Sequence, residues 1–155
     1  PIGGGHLLLG DDADASQFHT VIVNLRDGTG GPGRFGIGVC SEGHGLTPKL
    51  LLRPREEQLL LGFNREVCAV RVPQRAVRFA ISCEGLVHDL VCVAEHDLIL
   101  VVHEIGALAI TVEGNTRWTF SADVVTHWGL AGGRLTLEFM DSPRAELDVA
   151  TGDRV

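Results

Sequence analysis

The chain has 155 residues, enough for one domain with a single core, and its 45% hydrophobic and 21% charged residues are typical of a folded globular protein. The formal net charge of -7 argues against nucleic-acid binding, which normally needs a basic face, and is compatible with a basic protein partner. The most apolar segment, residues 98–110, carries His103 and Glu104 and is too short to span a bilayer, so we expect no membrane association.

The first residues, PIGGGHLLLGDDAD, lack the basic stretch and the long apolar core of a secretion signal. The four cysteines show no metal-ribbon spacing, and Cys68, Cys83 and Cys92 lie in apolar runs. Together with Cys40 they are interpreted as reduced core cysteines of a cytoplasmic protein.

Short runs rich in branched and aromatic residues, separated by turn signals, dominate the chain. Eleven strands are predicted, in chain order: VIVNL, RFGIGVC, QLLLGF, EVCAVRV, AVRFAIS, LVCVAE, DLILVVHE, ALAITV, TRWTFS, RLTLEFM and AELDVA. The glycine-rich stretch DGTGGPGRFGIG lacks the ending of a phosphate-binding loop and is predicted to be a hairpin loop available for partner contact. The best helix candidate is SADVVTHWGL. We therefore predict an all-β fold of repeated antiparallel β-meanders, either propeller-blade-like or packed as a small sandwich or barrel.

One segment of the chain repeats another. RFAISCEGLVH, residues 78–88, and RWTFSADVVTH, residues 117–127, share their pattern at a spacing of 39 residues. At the same spacing Leu59 aligns with Leu98, and Phe79 with Trp118. The pattern predicts a single domain, 1–155, with internal repeats of about 37–39 residues, approximately 58–96, 97–133 and 134–155. Phe79 and Trp118 are predicted to be core anchors.

The unit ends carry a second pattern. ALAITVEGNTRW, residues 107–118, and AELDVATGDRV, residues 145–155, resemble the blade motif of quinoprotein-type (PQQ-type) β-propellers. Asp148, Thr151 and Gly152 match its core in the last copy, whereas the earlier copy keeps Gly114 and Trp118. The resemblance implies a chain reversal at the Thr-Gly turn and an aromatic residue packed between neighbouring sheets. No residues match the family's quinone or calcium ligands, so no cofactor is predicted.

Three histidines follow the repeated aromatic residues at the same interval of nine: His44, His88 and His127. Equivalent residues of repeats can approach a common axis, and three imidazoles suit zinc or another divalent metal, which makes these residues a speculative metal site. The favoured interpretation is a polar residue kept at each strand exit for hydrogen bonding or solvation. His103 is predicted to be partly buried and hydrogen-bonded, and the adjacent pairs Glu95-His96 and His103-Glu104 are not expected to converge on one point.

The sequence shows no convergent catalytic set. Ser41, beside Cys40 and near His44, is the one tight local cluster, and it lacks a nucleophile-elbow motif. We therefore expect a non-enzymatic β domain that acts by binding another protein, in the manner of an immunity protein or adaptor. Two alternatives stay open: a metal- or small-ligand-binding β protein that uses the three histidines, and an oligomerising propeller-blade unit whose exposed sheet edges pair between identical chains.

Overall fold

The computed structural model describes residues 6–11, 15–26 and 32–155. Within these ranges the chain forms fourteen β-strands in four sheets and two short 3-10 turns. Sheet 1 contains β1 (His6–Leu9), β2 (Gln17–Arg26) and β3 (Pro32–Ser41). Sheet 2 contains β4 (Lys49–Arg53), β5 (Gln58–Phe63), β6 (Glu66–Arg71) and β7 (Ala76–Ser82). Sheet 3 contains β8 (Val87–Val93), β9 (Leu98–His103), β10 (Gly106–Thr111) and β11 (Thr116–Ser121). Sheet 4 contains β12 (Val125–Ala131), β13 (Arg134–Phe139) and β14 (Ala145–Asp148).

The prediction of an all-β fold built from antiparallel meanders is confirmed. In sheets 2, 3 and 4 each strand pairs with the next strand along the chain. Sheet 1 is the exception, because β1 lies outside β3 and pairs with it in parallel. The 3-10 turns, Pro54–Glu56 and Ala94–His96, join the first strand to the second in sheets 2 and 3. No helix among the described residues is long and apolar enough to cross a membrane.

SADVVTHWGL, the best helix candidate in a chain predicted to be all-β, forms no helix: it supplies the last residue of β11, a crossover and most of β12. The cap-like Asp123 does not begin a helix. Its Oδ1 accepts a hydrogen bond of 2.7 Å from the N–H of Val124, and its Oδ2 accepts one of 2.9 Å from the N–H of Asp141. The carboxylate thus ties two turns together, which is the local side-chain-to-backbone bonding that favours turns over helices.

The predicted hairpin loop and the predicted core cysteines hold only in part. In the glycine-rich stretch, residues 27–31 lie outside the described ranges, whereas Gly36 and Gly38 lie inside β3, as the predicted strand RFGIGVC has them and not as part of the loop. Cys40, Cys68 and Cys83 are buried as predicted, whereas Cys92 is exposed on β8, which is an edge strand of sheet 3. All four cysteines are free.

The four sheets pack against one another in chain order, through hydrophobic clusters between successive sheets. One buried cluster joins β3 to β5 and β6, a second joins sheet 2 to sheet 3, and a third joins sheet 3 to sheet 4. The central strands β5 and β9 are buried at every residue, because each is covered on both faces. Among the described residues no such cluster joins sheet 4 back to sheet 1.

The same joint recurs between successive sheets. The ring of Phe79 in sheet 2 lies against Gly114 of sheet 3, where an added Cβ would come within 2.6 Å of the ring. Trp118 in sheet 3 lies in the same way against Gly152 of sheet 4, also at 2.6 Å, and its Nε1–H donates a 2.9 Å hydrogen bond to the carbonyl of Val149. At the first joint the guanidinium of Arg75 lies 5.8 Å from the centre of the Phe35 ring.

Positive φ angles at the turn residues bring their backbones close to the rings. Gly114 has a φ of 94°, Gly152 has 78° and Arg75 has 52°. The Thr-Gly turn of sheet 4 is held by Asp148, whose Oδ1 accepts hydrogen bonds from the N–H groups of Ala150 and Thr151 at 2.9 and 3.0 Å. In sheet 3 the hydroxyl of Thr111 accepts hydrogen bonds from the N–H groups of Glu113 and Asn115 at 3.2 and 3.3 Å. Trp118 lies in the core between sheets 3 and 4 at 8% exposure, as predicted, whereas Phe79 is half-buried and packs against the core between sheets 2 and 3.

The spacing of 39 residues does not hold along the whole unit. It relates Phe79 to Trp118, but the two 3-10 turns begin 40 residues apart, at Pro54 and Ala94. As a result the predicted alignment of Leu59 with Leu98 as equivalent residues of two repeats is wrong. Leu59 faces sheet 1, whereas Leu98 faces sheet 4. A shift of one residue moves a strand residue to the opposite face. The units 58–96, 97–133 and 134–155 stay a sequence prediction, and the sheets themselves span 49–82, 87–121 and 125–148.

Candidate protein-binding surface

One end of the stack, which we call the crossover end, is where the chain passes from each sheet to the next. The crossovers are residues 42–48, 83–86 and 122–124, and the hairpin turns 64–65, 104–105 and 140–144 lie at the same end. The 3-10 turns lie at the opposite end. This arrangement follows from antiparallel pairing, which brings alternate turns of a meander to the same edge.

Backbone hydrogen bonds join these turns into one continuous surface. The N–H of Val87 donates to the carbonyl of Asn64 at 2.7 Å, and the N–H of Glu104 donates to Leu86 at 2.8 Å. The N–H of Val125 continues the series to Glu104 at 2.7 Å. Because every link involves backbone atoms, the crossover end forms a rigid support for the side chains that project from it.

Asn64 connects the crossover of sheet 1 to this series. Its Oδ1 accepts hydrogen bonds from the N–H of Glu42 at 3.0 Å and from the hydroxyl of Ser41 at 3.2 Å. The residue has a φ of 47°, a left-handed conformation that asparagine tolerates better than most residues. Asn64 was not among the residues predicted to be functional, although its position between two predicted strands is a turn signal.

Carboxylates are concentrated along the crossover end. We call the following group of seven the acidic rim: Glu42, Glu66, Glu84, Asp89, Glu104, Asp123 and Asp141. The described cations near this end are Lys49, Arg65, Arg144 and Arg154. Arg144 is paired with Glu146, and the Arg154 guanidinium lies 5.2 Å from the centre of the Phe120 ring. Among the described residues, the excess of carboxylates over cations is therefore greatest at this end.

Several rim carboxylates are fixed in place by the fold. Glu84 Oε2 accepts a hydrogen bond from the hydroxyl of Ser121, which joins the crossover after sheet 2 to the last strand of sheet 3. The backbone N–H groups of Val124 and Asp141 lower the pKa of Asp123 below its ordinary value. The Asp123 carboxylate therefore stays ionised at neutral pH and in mild acid.

Arginines and carboxylates are mixed at the opposite end. A cleft of about 520 Å³ there includes Arg53, Glu56, Asp97, Glu113 and Arg117 in its lining. The buried Arg53 guanidinium forms an ion pair with Glu56 at 3.1 Å, so its charge is compensated within the protein. This cleft has no single sign of charge and no buried group left to attract a charged ligand of one sign.

The three predicted metal-site histidines all lie near the crossover end, but in three different places. His44 is in the crossover after sheet 1, where its Nε2 is 2.8 Å from Glu42 Oε2. His88 is in β8, and His127 is exposed in β12 opposite Glu138. In the part of the chain that the structure describes, no group of three histidine, cysteine, aspartate or glutamate side chains is arranged to hold a metal ion. The metal site stays a prediction from sequence.

His103 lies beneath the acidic rim. It is 1% exposed, and its Nδ1 has no hydrogen-bond partner, so the prediction of a partly buried, hydrogen-bonded side chain is wrong. Burial lowers the pKa of His103, although the nearby carboxylate of Glu84 opposes that shift. A neutral imidazole results, which leaves the charge of the rim unchanged.

The residues considered for nucleophilic catalysis have other partners. The Ser41 hydroxyl bonds to Asn64, and the His44 imidazole bonds to Glu42. A serine nucleophile needs a base within hydrogen-bond reach. Glu95 and His96, an adjacent pair not expected to converge on one point, lie on a 3-10 turn rather than on the predicted strand.

Comparison with known proteins shows the fold. No family model matches the sequence, and no curated protein matches it. Sqt1 from Saccharomyces cerevisiae is similar with a TM-score of 0.56 at 14% identity, over 69% of this chain and 34% of that one. The computationally designed Ika4 protein also gives 0.56, at 11% identity, over 74% of both chains. BamB from Moraxella catarrhalis gives 0.52 at 15% identity, over 70% of this chain and 35% of that one.

Sqt1 has the WD40 type of fold and BamB is a β-propeller, so the likeness shows a propeller-like fold. This agrees with the blade-like alternative of the predicted fold. The chain spans about a third of the length of Sqt1 and of BamB. The quinoprotein resemblance is supported at the level of the propeller-like fold, and membership of that family stays a prediction.

Proposed function

We propose that this chain is a non-enzymatic protein-binding module that holds a basic segment of its partner along the acidic rim. The observation that carries the proposal is the separation of charge: carboxylates outnumber cations at the crossover end, whereas the two signs are mixed at the opposite end. Propeller-like scaffolds present rigid turns at two ends, and turns on a rigid scaffold are common binding elements.

The rim favours an extended basic segment over a single ion. Its carboxylates are spread over three successive crossovers, from Glu42 through Glu84 to Asp123, rather than gathered at one point. Lysine and arginine side chains along an extended peptide can pair with carboxylates spaced in this way, and complementary potentials also raise the association rate. An adaptor or an immunity-type inhibitor of a basic protein fits this description. The cytoplasmic location expected from the cysteines is part of the same proposal.

The direct test is binding of a fluorescent lysine- and arginine-rich peptide, measured by anisotropy at two salt concentrations. The rim variant replaces three exposed carboxylates with their amides: Glu42→Gln, Glu84→Gln and Asp141→Asn. The matched control makes the same charge change at the opposite end: Glu57→Gln, Glu95→Gln and Glu113→Gln. Both proteins lose three negative charges, so they differ only in where the charge is removed.

We expect the rim variant to weaken binding by about tenfold or more and the control variant to change it by less than about threefold, because exposed pairs contribute about 0.2–1 kcal/mol each. Higher salt should weaken wild-type binding. Equal losses in the two variants would mean that net charge alone matters, and the proposal would then fail. Cross-linking in native lysate from a lysine placed next to the rim then identifies the partner.

A further inference from the structure

The outer face of sheet 1, on the side away from sheet 2, exposes large apolar side chains. Leu8, Phe18 and Ile22 are 56%, 63% and 62% exposed. The alternate residues of the same strands, such as Val21 and Val23, pack against the core between sheets 1 and 2. Because strand residues alternate between faces, the three exposed side chains share one face.

Glycines make this face flat. Gly36 and Gly38 of β3 lie at its centre, and β2 pairs Ile22 with Gly36 and Thr20 with Gly38. An added Cβ on Gly38 would be 2.7 Å from the Phe18 ring and 3.1 Å from Leu8, so both side chains lean over that glycine. A smooth apolar sheet surface of this kind suits packing against another sheet at about 10 Å.

The outer face of sheet 4, at the other end of the stack, has a different character. Along β13 the buried Leu135 and Leu137 alternate with Arg134, Thr136 and Glu138, which point away from sheet 3. Arg134 lies 3.9 Å from Glu146 on the neighbouring strand. Stacking sheet 1 of one copy on sheet 4 of another would bury these charges against Phe18 and Ile22, which is unfavourable. Head-to-tail assembly therefore does not cover the apolar face.

We propose that two copies of this chain pack through the outer faces of sheet 1, related by a two-fold axis. The described side chains of this face include no carboxylate, although each chain carries a net charge of -7. Their charged group is Arg34, two residues along β3 from Gly36, whose Nε–H donates a 3.0 Å hydrogen bond to Asn24 Oδ1. Its charge therefore lies beside the apolar centre of the face, whereas the charges of sheet 4 lie along the whole of β13. An axis that crosses β2 at Thr20, at right angles to the strands, places Thr20 against Thr20 and Phe18 of one copy against Ile22 of the other. The two acidic rims then lie at opposite ends of the dimer, where their repulsion is smallest.

The size of the face sets the expected affinity. Three strands spaced at about 4.8 Å, with up to ten residues at about 3.3 Å each, give roughly 450 Å² per copy. Stable dimers bury about 800 Å² per partner, so the contact belongs to the weak class. The dissociation constant is therefore expected in the micromolar range.

Sedimentation equilibrium of the 155-residue chain, from about 1 µM to about 500 µM, measures this association. We expect a monomer–dimer equilibrium, and we expect Ile22→Glu and Phe18→Glu each to raise the dissociation constant at least about tenfold. Val77→Glu is the control, because Val77 is an exposed apolar residue on β7 and should leave the dimer unchanged. A single mass of 16.6 kDa at all concentrations would overturn the proposal, as would equal effects of Ile22→Glu and Val77→Glu.

A cysteine cross-link tests the geometry separately. In a Cys92→Ser background, which removes the exposed thiol, Thr20→Cys should form a disulfide-linked dimer on mild oxidation. Thr136→Cys, at the centre of the outer face of sheet 4, should not. Equal cross-linking at the two positions would contradict the two-fold arrangement. Neither experiment depends on a basic partner, so failure here is distinct from failure of the proposed function.

Discussion

The joint between sheets 3 and 4 gives the sharpest test of how the sheets are held together. Gly152 has a φ of 78°, and an added Cβ would be 2.6 Å from Trp118 Cγ and 2.9 Å from Trp118 Cβ. These atoms are near the root of the side chain, and the ring is held by its hydrogen bond to Val149, so the indole cannot swing away. The substitution Gly152→Ala must therefore move the backbone of one sheet relative to the other.

Gly45 provides a matched control. It also has a φ of 78°, but nothing lies within 4 Å of an added Cβ. Gly45→Ala should therefore show the cost of the left-handed conformation alone, about 1–2 kcal/mol. Gly152→Ala should add about 1–3 kcal/mol for overpacking, which gives a total of about 2–5 kcal/mol.

Urea unfolding followed by circular dichroism measures both free energies of unfolding. The comparison is then repeated in a Trp118→Leu background, where the excess cost of Gly152→Ala should fall because the indole is absent. Equal destabilisation by the two glycine substitutions, within about 0.5 kcal/mol, would refute the idea that the ring and glycine form a tight joint. An excess that persists without the indole would do the same.

The remaining predictions concern thiols, acid stability and metal. In the folded protein Cys92 should react with an aromatic disulfide reagent within seconds, and Cys92→Ser should remove that phase; Cys83 should react only on unfolding, because burial raises its pKa to about 11. Asp123→Ala should lower the free energy of unfolding at pH 7. The ionised carboxylate stabilises the folded protein fully above the pKa that Asp123 has in the unfolded chain, and this stabilisation is lost as the pH falls through its lower pKa in the folded protein. The difference in free energy between wild type and variant should therefore vanish in that pH range. Urea midpoints between about pH 7 and pH 2 measure this, and a difference that does not change with pH would contradict it. The metal hypothesis predicts one zinc ion per chain after dialysis against the metal, lost on replacement of the three histidines; elemental analysis that finds none rules it out. Those three residues are His44, His88 and His127.

Three strands could be predicted to the residue, for a physical reason. QLLLGF, AVRFAIS and TRWTFS match β5, β7 and β11 at both ends, because these runs combine branched or aromatic residues with clear turn signals on each side. The strand β4 was missed, since LLLR follows a proline and a lysine without alternation, and only its pairing with β5 makes it a strand. Long-range pairing of this kind overrides local preference.

The candidate surface was harder to predict, because no local motif marks it. Glu42, Glu84 and Asp123 are far apart in sequence, and only the stacking of four sheets brings their crossovers to one end. The equal spacing of the three histidines could be recognised in the sequence, but the sequence does not determine the direction in which their side chains project. The structure places His44 in the crossover after sheet 1 and His127 in β12 of sheet 4. The misalignment of Leu59 by one residue has a similar origin. The paired residues of the β10–β11 hairpin are one residue closer in sequence than those of the β6–β7 hairpin, as Ile110 with Thr116 against Val70 with Val77 shows. The repeat spacing therefore differs before and after this hairpin, and a single alignment offset cannot describe both parts.

The contrast between the central strands has a consequence for building longer or shorter proteins from this chain. A strand such as LILVVH, which is buried at every residue, is stable only with a neighbour on each side, whereas RLTLEF tolerates water on one side. Sheet 3 is therefore an internal module and sheet 4 a terminator. A second copy of residues 87–124, inserted before residue 125, should lengthen the array by one blade, because Trp118 of the first copy would meet Gly114 of the second, just as Phe79 does in the present protein. Appending a second copy of sheet 4 should not, because its solvent-facing charges leave nothing for another sheet to dock against.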